Sequence, residues 1–159
     1  TELFYIDGDG DVTQITADGS LNSGEIDASQ VASSGWDETG ASFVPGEAAA
    51  SNPAANSRIA EADATSGSGD HSVLGIRTDA GKVVHEGVVS AAFVASLTLT
   101  AGDRIWVSKT AGQLTNDVSA FVAGDVVIPM GYVKDASTYA GSGGDLASIV
   151  LDVGLPVTL

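Results

Sequence analysis

The sequence predicts an all-β fold: a small antiparallel barrel or sandwich with an N-terminal β-hairpin and an extended arm. Three observations carry that expectation. Between residues 71 and 136, short β-branched runs alternate with turns of two to four residues that hold Gly and Asp. Along the runs apolar residues recur at every second position, as Ile105 and Val107 do, which suits a strand with one buried face. Val, Ile, Thr, Phe, Tyr and Trp dominate them, and these side chains fit a pleated surface best.

Residues 3–6 and 12–16 read as two strands joined by Asp7-Gly8-Asp9-Gly10-Asp11, and Asp-Gly pairs supply the positive φ of a tight hairpin turn. A lone hairpin is barely stable in water, so it needs a surface to pack on. Residues 20–44 are irregular, with Trp36 and Phe43 as anchors. Trp36 is read either as a plug for a local core or as an aromatic that docks a partner. Residues 45–70 are rich in Pro, Gly, Ser, Ala and Asn, with Ile59 the one large apolar residue, and read as a linker or an arm lying over a surface. Within them, 57–64 fits two helical turns capped by Asn56 or Ser57. In the main unit the strands are 73–78, 82–85, 87–94, 104–108, 113–115 and 126–134. The tail 146–159 gives one more. Pro156 cannot donate to a ladder, so residues 157–159 should lie at an edge. Three regions result: 1–44, a hairpin with an irregular segment; 45–70, a linker or arm; and 71–159, the barrel or sandwich domain.

Composition narrows the function. The 159 residues hold 21 acidic and 6 basic side chains, a formal charge of −15, and fifteen of the acids are Asp. Such a surface repels phosphate backbones and anionic membranes, so neither nucleic acid nor membrane is an expected partner. Self-repulsion of this size is relieved by salt. A saline working medium is one reading, and an ordinary acidic surface is the other. There is no Cys, which excludes disulfides, thiolate metal sites and a Cys nucleophile. Thr1 suits a residue left after removal of an initiator Met, and no signal-peptide pattern comes after it. The longest mostly apolar stretch, 88–99, is too short to span a bilayer. The expectation is a soluble protein made in the cytoplasm.

Candidate chemistry is sparse. Asp7, Asp9 and Asp11 offer three clustered carboxylates. A calcium loop of the helix–loop–helix type, however, needs Gly at its sixth position and Glu at its twelfth, where this chain has Val12 and Asp18. A hairpin turn is the alternative. His71 and His85 are the only imidazoles and read as ordinary residues in or near turns. Neither a G-x-S-x-G elbow nor a phosphate-cradling G-x-x-x-x-G-K occurs. No catalytic, cofactor-binding or metal-binding residue is assigned. Trp106 should face away from the side that Ile105 and Val107 bury. Its flanking bases, Arg104 and Lys109, read as partners for acids of another chain.

Two segments carry a resemblance. LFYIDGDGDVTQIT resembles the opening of many tailed-phage fibre and head-decoration proteins. GVVSAAFVASLTLTAGDRIWVSKTAGQLTN, with GDVVIPMGYVKDAS after it, is similar to a β-module of phage virion proteins. The matching residues are Gly87-Val88, the turn Ala101-Gly102-Asp103, the strand from Ile105 to Ser108, the hairpin from Thr110 to Thr115, and Met130-Gly131-Tyr132. The resemblance implies a non-enzymatic virion structural protein, a homotrimer bound to the major capsid protein on the capsid surface. Fibres more often carry long repeats, and none is visible here, which favours capsid decoration. The alternative is a tail or head fibre that binds a receptor or glycan, with Trp36, Trp106 and Tyr139 stacking on sugars. A carbohydrate-cleaving carboxylate pair is a further rival, but among so many Asp residues no two stand out.

Overall fold

In the computed structural model, residues 30–52, 56–65, 67 and 72–159 are described in full, with four short strands before residue 22 described by their backbone. Those four are β1 (Phe4–Ile6), β2 (Val12–Gln14), β3 (Thr16–Ala17) and β4 (Ser20–Leu21). β1 and β2 pair antiparallel, with Phe4 opposite Gln14, as the hairpin reading expects. The stretch 12–16 is divided between β2 and β3, and β3 pairs with β4 in a second two-stranded unit. The Asp7–Asp11 turn and His71 lie outside the described residues.

The body is all-β, and no described residue is helical. Its strands are β5 (Val31–Ser33), β6 (Ala48–Ser51), β7 (Ile59–Glu61), β8 (Val73–Asp79), β9 (Lys82–Ala92), β10 (Arg104–Val107), β11 (Leu114–Thr115), β12 (Val126–Val127), β13 (Pro129–Asp135), β14 (Leu146–Asp152) and β15 (Val157–Thr158). Nine of them form one antiparallel sheet in the order β11-β10-β13-β14-β9-β8-β6-β7, with β5 added against β9. The sheet curls into a half-barrel. Backbone bonds from Ala48 N–H to the Gly112 carbonyl (2.7 Å) and from Ala64 N–H to the Ser108 carbonyl (3.0 Å) tie its two ends together.

β9 is the strand the halves share. Its residues from Lys82 to Val84 pair with β8, and those from Glu86 to Ala92 pair with β14. The changeover falls at His85, and two residues further on Gly87 has a φ of +110°, a conformation that residues with a Cβ rarely adopt. The sequence reading ends one strand at His85 and starts another at Gly87. The structure runs the strand through both, and Gly87 keeps its place in the ladder opposite Leu151.

Alternation works as expected within the second half. Ile105 and Val107 on β10 and Ala147, Ile149 and Leu151 on β14 point inward and are buried, while on β13 a bulge lets Met130 and Val133, three residues apart, both be buried. They close on Phe93, Leu114, Ile76 and Val84 in one apolar core. In the first half both faces are covered. Ala49, Ile59 and Val83 form a second, smaller cluster on the other side, roofed by Trp36 and Phe43. Trp36 is therefore anchored in a local core.

Two expectations for 45–70 are corrected. The stretch 57–64 is not helical, since β7 occupies Ile59–Glu61 and pairs with β6. Nor is the region only a linker or arm: Ala48, Ala49, Ala50, Ile59, Ala62 and Ala64 are fully buried. Alanine carries no β-signal of its own, but its small side chain lets β6 pack on both faces at once. The stretch 126–134 is likewise split, and β12 leaves the large sheet to pair with β15.

Candidate interaction surface

The polar side chains singled out in the sequence serve the fold. His85 lies mid-strand, so the expectation of a histidine at a strand end is corrected. Its Nδ1 is 2.8 Å from the Leu74 carbonyl, which can only accept, so Nδ1 carries the proton. Nε2 is then the acceptor, and the Ser33 hydroxyl donates to it at 2.6 Å. Trp36 Nε1–H donates to the same Ser33 oxygen at 2.7 Å. A serine hydroxyl aimed at an imidazole is the first contact of a nucleophile–base pair. Here the orienting group is a neutral carbonyl, and the indole occupies a lone pair on the oxygen. The cluster's evident work is to fasten β5 and the Trp36 segment to the β8–β9 hairpin. Among the described residues no three His, Asp or Glu side chains converge on a metal position.

The bases divide. Lys109 pairs within the chain, 2.9 Å from the buried Asp125, which corrects its reading as a partner for another chain. Arg58 meets Asp37 at 3.2 Å and Arg77 meets Glu38 at 3.0 Å. Arg104 is exposed and makes no ion pair among the described residues. Tyr139 is engaged: its hydroxyl donates to the Val94 carbonyl at 2.6 Å and accepts from Leu97 N–H at 3.0 Å. Its ring meets Phe93 edge-on at 6.1 Å. Trp106 lies on the outer face, half-buried, as its alternation with Ile105 and Val107 requires.

What remains open is the C-terminal edge. Among the described residues β15 pairs with β12 alone, through Val126 opposite Thr158 and Val127 opposite Val157. Two backbone bonds finish that pairing, from Gly124 N–H to the Leu159 carbonyl (2.9 Å) and from Leu159 N–H to the Asp125 carbonyl (3.0 Å). Leu155 is 86% exposed, and Val157, Leu159 and Val122 are each more than half exposed. Residues 118–124 and 153–159 carry no charge in a chain of net −15. Beside the tail a cavity of about 450 Å³ opens between Val153, Leu155 and Pro156 on one side and Val73, Leu74 and His85 on the other. Singly exposed apolar residues are ordinary, whereas several together beside an open strand edge mark a contact surface. The edge offers apolar contact. The sequence signal was the apolar tail around Pro156; the partnership with β12 had no local signal.

In comparisons with known proteins, no family model, no curated protein and no solved structure matches this chain.

Proposed function

We propose that this chain is a non-enzymatic phage virion protein that decorates and stabilises the capsid exterior as a homotrimer seated on the major capsid protein. The observation that carries the reading is the uncharged C-terminal edge, with Leu155, Val157, Leu159 and Val122 exposed beside it. A protein of net −15 approaches another acidic surface most easily through a patch without charge. Burying a Leu or Val side chain there contributes about 1.5–3 kcal/mol. One such contact is weak, but three copies held together multiply it. The residues that resemble a virion β-module support the reading too. Ala101-Gly102 forms a turn, Ile105 to Val107 lies on β10, Leu114 on β11 and Met130 to Tyr132 on β13. The segment 45–70 plays no part as an arm across the shell, since much of it belongs to the body.

Locating the protein in purified particles tests this. The proposal expects it on heads, in copies of the order of the shell subunits, and released from them by Leu155→Asp with Val157→Asp. A few copies at the tail would favour a receptor-binding fibre, and free protein with no particle would overturn the reading.

A further inference from the structure

The outer face of the second half-sheet carries unlike charge at its two sides. Arg104 on β10 stands directly opposite Tyr132 on β13, Tyr132 opposite Val150 on β14, and Val150 opposite Val88 on β9. Trp106 lies two residues beyond Arg104 on the same face, half-buried, and Tyr132 is 41% exposed. At the other side of this face Glu86 and Asp152 sit directly opposite each other on neighbouring strands, both exposed. Like charges in that position repel. Neither has a cation within ion-pair distance among the described residues, and Arg104 has no carboxylate. The outward side chains of β10, β13 and β14 join neither apolar cluster, whereas the outer face of the first half-sheet is roofed by Trp36 and Phe43. One rim is therefore basic, the opposite rim is doubly acidic, and an aromatic and aliphatic stripe runs between them.

We infer that this face binds a second copy of the same chain. The Arg104 rim of one copy meets the Glu86–Asp152 rim of the next, and Trp106, Tyr132 and Val150 pack in the seam. The charge pattern favours this occupant, because the two rims complement each other and each leaves the other's charge unpaired in a single chain. A head-to-tail contact pairs the two unlike rims, and such contacts close into a ring where the rotation between copies closes. Only the number of copies, three, rests on the capsid reading.

Charge reversal with rescue tests the inference. Solution mass is measured by light scattering across a dilution series for the wild type, Arg104→Glu, the double variant Glu86→Arg with Asp152→Arg, and an equimolar mixture of the two variants. Thermal melts check that each variant is folded; where Arg104→Glu is not, Arg104→Gln replaces it. The wild type should be oligomeric, and Arg104→Glu should weaken association by about tenfold or more. The mixture should recover association into mixed pairs, because each variant supplies the charge the other lacks, although a ring of three would keep one like-charged contact. A monomeric wild type, a mass unchanged by Arg104→Glu, or a mixture that stays dissociated would overturn the inference. A monomeric wild type would also remove the homotrimer from the proposed function, but none of these results bears on whether the protein is found on heads, so location on the capsid is judged separately.

Discussion

Removing the Glu38 carboxylate should cost the fold well more than an ordinary surface change. Glu38 accepts from Arg77 Nε at 3.0 Å and Nη2 at 3.2 Å, a two-pronged contact, and from Gly81 N–H at 2.8 Å. It therefore pins the segment after Trp36 to both β8 and the β8–β9 turn. The Arg77 side chain is only 10% exposed and Glu38 22% exposed. Fully buried pairs lose about 3–5 kcal/mol when one partner is removed. Exposed pairs contribute about 0.2–1 kcal/mol. The partial exposure of Glu38 places Glu38→Ala between these, at about 2–3 kcal/mol. For a chain of this length that lowers Tm by roughly 5–10 °C. Urea unfolding should show a lower midpoint with an unchanged slope. Arg77→Ala should cost a similar amount, and the double variant less than the sum of the two. A Glu38→Ala midpoint within about 0.5 kcal/mol of the wild type, the range of ordinary surface changes, would refute the reasoning.

Packing and charge give two further predictions. A Cβ at Gly131 would lie 2.0 Å from the Val150 carbonyl, at a φ of +113°. Backbone cannot yield that far, so Gly131→Ala should lower stability by about 3 kcal/mol or more, seen as a large fall in the urea midpoint. The pH dependence should carry two opposed contributions. The Arg77 guanidinium holds the Glu38 carboxyl below its ordinary value of 4.5, so its stabilisation is present above that pH and is lost as pH falls. Burial raises Glu47 above 4.5, so its contribution is full below that pH and is lost as pH rises through the folded value. Glu47→Gln, which keeps an acceptor for Val44 N–H, should therefore be at least as stable as the wild type at pH 7, with the difference gone by about pH 4. Melting curves at the two pH values check this, and a less stable variant at pH 7 would contradict it.

Much of the second half-sheet was legible in the sequence because one face is wet. Arg104 to Val107 and Leu146 to Asp152 place buried apolar residues at every second position, and that period is the strand signal itself. The first half-sheet hid its strands because both faces are buried. Ala48 to Ala50 has no alternation to display, and alanine gives no propensity to compensate. Turn residues misled at Gly87, where glycine sits within a continuous strand. Long-range pairing was beyond reach: Ser33 with His85, Lys109 with Asp125 and β12 with β15 depend on which strands adjoin, and local pattern does not encode that. The candidate surface was half legible. The apolar tail announced itself, but the charge polarity across Arg104, Tyr132, Val150 and Glu86 exists only once the strands are in register.

The most direct test of the account uses the absence of cysteine. Leu155→Cys gives the chain a single thiol, at a position 86% exposed on the uncharged edge, to which a photo-crosslinker is attached. Irradiated on assembled heads, it should capture the major shell subunit. Labelled protein that stays on the heads yet captures no shell subunit would contradict the account.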